Sequence, residues 1–261
     1  MYQRNRPPIG SQIDYAHPLG KGMVCAILFN ERGGNIVNDI SGNSHSGIAT
    51  ACAWTPLGRD GQGLYFDAAA SYVTLIDTKK LSVIGGDLTV AAWITETVVT
   101  SYRGIIGNSF ANGWWLSTNA GKICIWIAGI GTAYSATTTM AANRWYHVAA
   151  TFINSTKKIA FYLDGKPDGT ATSSTNLGDG GTTFYLGKDA RGNANYWFGG
   201  TMAGIYVWNR ALTGQEIGNI YYDTYAPILD PQRGWLQPGI MGEATPPAPG
   251  GGMAPSMFFM D

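Results

Sequence analysis

The sequence predicts an all-β domain, a two-sheet antiparallel sandwich with one short C-terminal helix. Three observations carry this. Short apolar runs recur along residues 15–225, bounded by Gly, Asn, Asp and Ser, which is the pattern of strands and turns. Gly is abundant (36 of 261) and aromatics are plentiful (9 Trp, 14 Tyr, 9 Phe). Glu occurs only at Glu31, Glu96, Glu216 and Glu243, too rarely for a helical bundle.

Eleven strands are expected: Met23–Phe29, Leu64–Phe66, Tyr72–Leu75, Leu88–Thr95, Arg103–Gly107, Gly113–Ser117, Lys122–Ile127, Tyr146–Asn154, Lys158–Leu163, Thr182–Leu186 and Phe198–Val207. Within Leu88–Thr95, Val90, Ala92 and Ile94 alternate with Thr89, Ala91, Trp93 and Thr95. A period of two turns one set inward and the other outward. Turns are expected at Asn119–Gly121, Asp164-Gly165 and Asp179–Gly181, and Asp-Gly between two apolar runs signals a hairpin. The helix is expected over Thr213–Asn219, because Thr213 followed three residues later by Glu216 forms a capping box.

Lys+Arg and Asp+Glu are both 17, so the net charge is zero. A nucleic-acid partner would call for a basic excess, and none exists. Charged residues are only 13%, which fits a surface covered by partners or one rich in Ser, Thr and Asn. Cys25, Cys52 and Cys124 form no Cys-x-x-Cys pair, so neither a disulfide framework nor a zinc motif is expected. The start of the chain, MYQRNRPPIGSQ, lacks the apolar stretch of a secretory signal, and no run is long enough to cross a membrane as a helix. Three zones follow: an extended N-terminal arm (1–14), a sandwich (15–225) and a C-terminal arm (226–261) holding seven of the twelve prolines.

Several motifs occur in a characteristic order: Gly86-Asp-Leu-Thr-Val-Ala-Ala-Trp-Ile94, Gly113-Trp-Trp-Leu116, Asn143-Arg-Trp-Tyr-His-Val-Ala-Ala-Thr-Phe152, Lys158-Ile-Ala-Phe-Tyr-Leu-Asp-Gly-Lys166, and Val207-Trp-Asn-Arg-Ala-Leu-Thr213. The series resembles the laminin-G-like, concanavalin-A-like jelly-roll superfamily, over roughly residues 15–225. The resemblance implies a jelly-roll sandwich. It leaves function open, because the fold hosts lectins, glycosidases, adhesion modules and virion proteins. The flanks Arg6-Pro-Pro-Ile-Gly10, His17-Pro-Leu-Gly-Lys-Gly22 and Tyr221-Tyr-Asp-Thr-Tyr-Ala-Pro227 resemble laminin-G-like proteins of tailed-phage genomes. His147 is expected to be structural, and Arg210 to tie the last strand to the helix.

For glycoside hydrolysis, relatives use a strand motif Glu-x-Asp-x-Glu that supplies paired carboxylates. It is absent here, Glu96 stands alone, and no Gly-x-Ser-x-Gly elbow occurs; no catalytic residue is expected. For calcium, Asp39, Asn43 and Asp67 are candidates. Ala203-Gly204 stands where relatives are often acidic, so no metal site or cofactor is expected. For glycans, an aromatic platform beside polar side chains points to Trp114, Trp115, Tyr134 and Trp197, with Asp189, Arg191 and Asn193. Trp235 and the apolar end Met257-Phe258-Phe259-Met260 are expected to anchor partners.

The leading expectation is a non-enzymatic virion structural protein, a capsid decoration or fibre-type component made in the host cytoplasm. Its partners would be other virion proteins, further copies of itself and glycans, with no nucleic acid and no membrane. The alternative is a lectin module for host-surface glycans. A glycoside hydrolase relative is a third reading.

Overall fold

The computed structural model describes residues 6–76, 81–83, 85–108, 112–127, 132–134, 137–188 and 196–229. In chain order the described strands are β1 (Gln12–Ile13), β2 (Met23–Ile27), β3 (Ile36–Val37), β4 (Gly47–Thr50), β5 (Ala53–Thr55), β6 (Gly63–Asp67), β7 (Tyr72–Leu75), β8 (Leu88–Glu96) and β9 (Arg103–Gly107). They continue as β10 (Trp114–Asn119), β11 (Lys122–Ile127), β12 (Thr132–Tyr134), β13 (Tyr146–Ile153), β14 (Lys158–Leu163), β15 (Lys166–Thr172), β16 (Phe184–Leu186) and β17 (Gly199–Trp208). Helix α1 (Gly214–Tyr222) and β18 (Ile228–Leu229) close the described chain.

These strands build two antiparallel sheets. One has the order β12-β11-β10-β9-β16-β7-β4-β3. The other runs β15-β14-β13-β8-β17-β6-β5, with β2 also on β17. The ten-residue β17 pairs along one edge with β8, while its other edge is shared by β6 and β2. Hairpin turns fix the register where the sequence signals them. Asp164 (φ 49°) and Gly165 (φ 75°) link Leu163 to its partner Lys166. Ala120 (φ 47°) and Gly121 (φ 76°) do the same between Asn119 and Lys122. Two consecutive left-handed residues give the turn whose twist matches its strands.

The period-two pattern sorts the side chains as expected. Val73, Leu75, Trp114, Leu116, Phe184 and Leu186 of one sheet share a core with Val90, Ala92, Ile94, Val148, Phe152 and Val207 of the other. The outer face of the β8–β13–β17 sheet carries a second apolar layer. There Ala91, Ala149, Tyr206 and Trp208 pack beneath Leu212, Ile217, Ile220, Tyr225 and Ile228. Helix α1 is held at its start by the capping box: Thr213 Oγ1 accepts from the Glu216 amide, and Glu216 accepts from the Thr213 amide.

Arg210 ties three segments together, as expected. It donates to the carbonyls of Pro18 and Lys21 and pairs with Glu216 at 2.8 Å. His147 is fully buried in the second layer, its ring 5.1 Å from that of Trp93 and 6.0 Å from that of Tyr221.

The arm boundaries need correction. The described part of the N-terminal segment lies on its own sandwich, not as an extended arm over 1–14. Arg6 donates to the carbonyls of Phe29 and Ala203 and to the Tyr225 hydroxyl, and Asn30 donates to the Pro7 carbonyl. β1 pairs with β18, so the folded unit includes residues on the arm side of both expected boundaries. Arg6, placed by the sequence in the N-terminal arm, is therefore in use within the chain.

Candidate functional site

The two outer faces of the sandwich differ. One is sealed by α1 and the terminal segments. On the other, the strands β7, β16, β9, β10 and β11 run side by side, and all but β9 turn one aromatic outward: Tyr72, Tyr185, Trp115 and Trp126. Tyr72 lies between the inward Ser71 and Val73, Tyr185 between Phe184 and Leu186, and Trp126 between Ile125 and Ile127. Each inward neighbour is buried, and these three aromatics are half-buried.

The rings form two adjoining groups. Tyr72 meets Tyr185 (6.2 Å between centroids) and Trp197 (5.9 Å) edge to face. The Lys188 ammonium lies 3.9 Å from the Tyr72 ring centre and 4.0 Å from that of Tyr185, a placement favoured by the negative faces of both rings. In the second group Trp115 stacks on Trp126 at 6.3 Å, and Tyr102 contacts Trp115, Trp126 and Tyr196. Electron-rich ring faces beside an ammonium and phenol hydroxyls suit a ligand with one apolar face and a polar rim.

The expected glycan contacts divide. Trp114 is corrected: it is fully buried, and its indole N–H donates to the Leu81 carbonyl at 2.9 Å. The strand period that turns Trp115 outward turns Trp114 into the core. Trp115 is also corrected as a surface platform, because at 1% exposure it is the floor of the ring layer. Trp197 joins the layer. Tyr134 occupies β12 opposite Cys124, but its side chain lies outside the described residues, as do Asp189, Arg191 and Asn193. Trp235, Met257, Phe258, Phe259 and Met260 also lie outside them. Sequence reasoning missed Tyr72, Tyr102, Trp126, Tyr185 and Lys188. Alternation within the strand was the available signal for Tyr72, Trp126 and Tyr185, whereas Tyr102 and Lys188 flank strands and had none; only sheet order makes them neighbours.

The calcium candidates are occupied by the protein's own donors. Asp39 accepts from the amides of Ala26, Ser41 and His45 and from the Ser41 hydroxyl. Asp67 Oδ1 accepts three successive amides, from Ala69, Ala70 and Ser71, which holds its carboxyl well below the usual range. Asn43 donates to the Val24 carbonyl. The Ala203 carbonyl is taken by Arg6. A chelator is therefore expected to shift the melting temperature by no more than about 1 °C, since only an occupied site adds stability; a calorimetric scan with EDTA, then with calcium restored, checks this.

Glu96 lies between the sheets rather than on either outer face. It is 3% exposed and accepts from the Thr118 hydroxyl at 2.5 Å. Burial raises its pKa from 4.5 to about 7, opposed by the Thr118 hydrogen bond and the Arg103 charge. Burial likewise depresses His147 from 6.5 to about 3, helped by the nearby Arg59 charge. The two act in opposite directions. The His147 contribution is lost as pH falls from 6.5 towards 3, because the unfolded chain takes the proton first. The Glu96 contribution is complete below pH 4.5 and is lost as pH rises through 7. Stability should be nearly flat between pH 4.5 and 6.5, where the two cancel. Glu96→Gln should uncover a slope of about 1.4 kcal/mol per pH unit, stability rising with pH. Urea titrations at four pH values read the slope directly.

A family model described as the Concanavalin A-like lectin/glucanases superfamily matches residues 67–218. A search of curated proteins gave no match. Among solved structures, the binding domain of Paraclostridial Mosquitocidal Protein 1 aligns with TM-score 0.66 and 16% identity, over 80% of this chain and 53% of that one. Domain 4 of AbnA, a GH43 extracellular arabinanase from Geobacillus stearothermophilus, in complex with arabinotriose, aligns with TM-score 0.59 and 17% identity, over 76% and 98%. The binding domain of Botulinum Neurotoxin DC in complex with SialylT aligns with TM-score 0.58 and 9% identity, over 78% and 52%. This chain thus spans about half the length of the two toxin domains. At these identities the likeness is one of fold.

Proposed function

The chain belongs to the concanavalin A-like lectin/glucanases superfamily, and from that premise we propose that it is a non-enzymatic binding module for glycans. The ligand would lie on the outer aromatic face, with Tyr72, Tyr185 and Trp197 under the C–H faces of its sugar rings and Lys188 beside its oxygens. The observation that carries this reading is the asymmetry between the faces. One is closed by α1, β1 and β18, whereas the other presents the half-buried rings of Tyr72, Tyr185 and Trp126 from β7, β16 and β11, with Tyr102, Tyr196 and Trp197 beside them. Sugar-bound structures among those of like fold support it. Hydrolysis is not part of the proposal, because Glu96 is enclosed between the sheets and cannot reach a ligand on either outer face. A glycan array with Tyr185→Ala tests the reading. Binding should fall at least tenfold while the melting temperature changes little, and undiminished binding would contradict it.

A narrower reading makes this module a structural component of a tailed-phage virion, held on the particle by residues 230–261. The flank resemblance and the apolar end Met257–Met260 favour it, with Trp235, Phe258 and Phe259 as anchors on another subunit or virion protein. The cut that tests it must follow Leu229, not precede Pro227. The Asp14 amide donates to the Pro227 carbonyl, and Ile13 pairs with Ile228, so an earlier cut damages the sandwich. Cutting after Leu229 should preserve a cooperative melt and abolish assembly onto particles; normal assembly would refute this reading.

A further inference from the structure

A second cleft lies beside β5, the edge strand of the sheet that does not carry the aromatic face. Between the loop 31–34 and the turn leading into β6 is a cleft of about 400 Å³, lined by Arg32, Trp54, Pro56, Gly61 and Gln62. It adjoins a hollow of about 760 Å³ through Arg32, Gly61 and Gln62. Both volumes fall in the range of small-molecule sites.

The walls are built and held. Trp54 sits on the edge strand β5, packs against the core on one side and donates its indole N–H to the Gly34 carbonyl at 2.8 Å. This bond ties the loop to the ring and fixes the ring plane. Arg32 is exposed with φ 65°, a left-handed conformation that side chains other than glycine rarely adopt. Such strain is found where surrounding structure imposes it, often at ligand sites. Gln62 holds the Arg32 side chain. With its amide oriented to suit both neighbours, it donates to the Asn30 carbonyl at 3.3 Å and accepts from Nε and Nη2 of Arg32.

The charges around the cleft are unequally engaged. Asp60 is taken by Arg59 at 3.5 Å and by the Tyr225 hydroxyl at 2.8 Å. Arg6 is spent on Phe29, Ala203 and Tyr225. Arg32 has no carboxylate within ion-pair distance among the described residues. Gln62 takes the Nε–Nη2 edge of this guanidinium, and the remaining end, Nη1 and Nη2, is the edge suited to a planar anion, above all a carboxylate. The indole face beside it suits the C–H face of a sugar ring.

We propose that this cleft binds a carboxylated sugar, its carboxylate on Arg32 and its ring against Trp54. The experiment is a titration of the ¹⁵N-labelled full chain with glucuronate, glucose and N-acetylaspartate, followed at the Trp54 indole N–H resonance. Glucuronate should move that resonance saturably, and glucose should bind at least tenfold more weakly. Arg32→Gln should weaken glucuronate at least tenfold, and Arg32→Gly should do so while relieving the backbone strain, so that loss of binding is not mistaken for loss of fold. Tyr185→Ala should leave this binding unchanged, which separates it from the aromatic face. The proposal is overturned if glucuronate and glucose bind alike, or if the arginine variants retain binding. It is equally overturned if N-acetylaspartate binds as tightly as glucuronate, since the cleft would then read a carboxylate on any carrier, including an acidic peptide.

Discussion

Replacing Trp114 with alanine is expected to destabilise the domain by about 3–5 kcal/mol, the largest single effect anticipated here. The ring is fully enclosed, lies 5.2 Å from the Phe184 ring and shares the inter-sheet core with Leu116 and Ile125. Truncation leaves a cavity that two paired sheets cannot easily close. It also strands the Leu81 carbonyl, which loses the indole donor, and an unpaired buried carbonyl adds its own cost. For a domain of this size the melting temperature should fall by roughly 10 °C. The same substitution would remove a sugar platform if Trp114 were on the surface, with little loss of stability. A calorimetric melt of the variant therefore separates the core role from the surface one.

Arg6→Ala is expected to cost about 2–4 kcal/mol, read from urea denaturation. Surface arginines seldom matter this much, but Arg6 serves three acceptors from three distant segments: Phe29, Ala203 and Tyr225. Phe29 and Ala203 are themselves buried, so their carbonyls have little access to water as a substitute. Hydrogen bonds from a charged donor are among the stronger ones. A change below about 0.5 kcal/mol, the range of ordinary surface substitutions, would mean that the N-terminal segment does not belong to the folded unit.

Much of the fold was legible in the sequence because most strands are apolar runs bounded by turn residues, a signal that survives even in β8, β13 and β17, which are buried on both faces. Tyr72–Leu75, Arg103–Gly107, Lys122–Ile127 and Lys158–Leu163 have the expected bounds. The short edge strands were not legible. β3, β5 and β18 have two or three residues, too few for a period to show. β15 reads Lys-Pro-Asp-Gly-Thr-Ala-Thr, a composition that argues for a loop, and it is a strand because the Asp164-Gly165 turn brings it beside β14. The helix signal was sound, though α1 runs on through Tyr222, past the expected Asn219. Its Tyr221 stacks on Trp93 at 5.5 Å, so tertiary packing extends what the local signal only starts.

The candidate site was less legible for a topological reason. Tyr72, Tyr185, Tyr102, Trp115 and Trp126 come from widely separated stretches, and they are adjacent only because β16 inserts between β7 and β9. Each outward aromatic, taken alone, reads as a surface or edge residue. The conspicuous Trp114-Trp115 pair drew attention to one core residue and one buried floor residue instead.

The most direct measurement of the central claim is chemical-shift mapping on the ¹⁵N-labelled protein with the best glycan from an array. The account predicts that the perturbed amides and indoles cluster on Tyr72, Tyr185, Lys188 and Trp197 and extend towards Tyr102 and Trp126. Perturbations centred on the α1 face, with the aromatic layer unmoved, would contradict it.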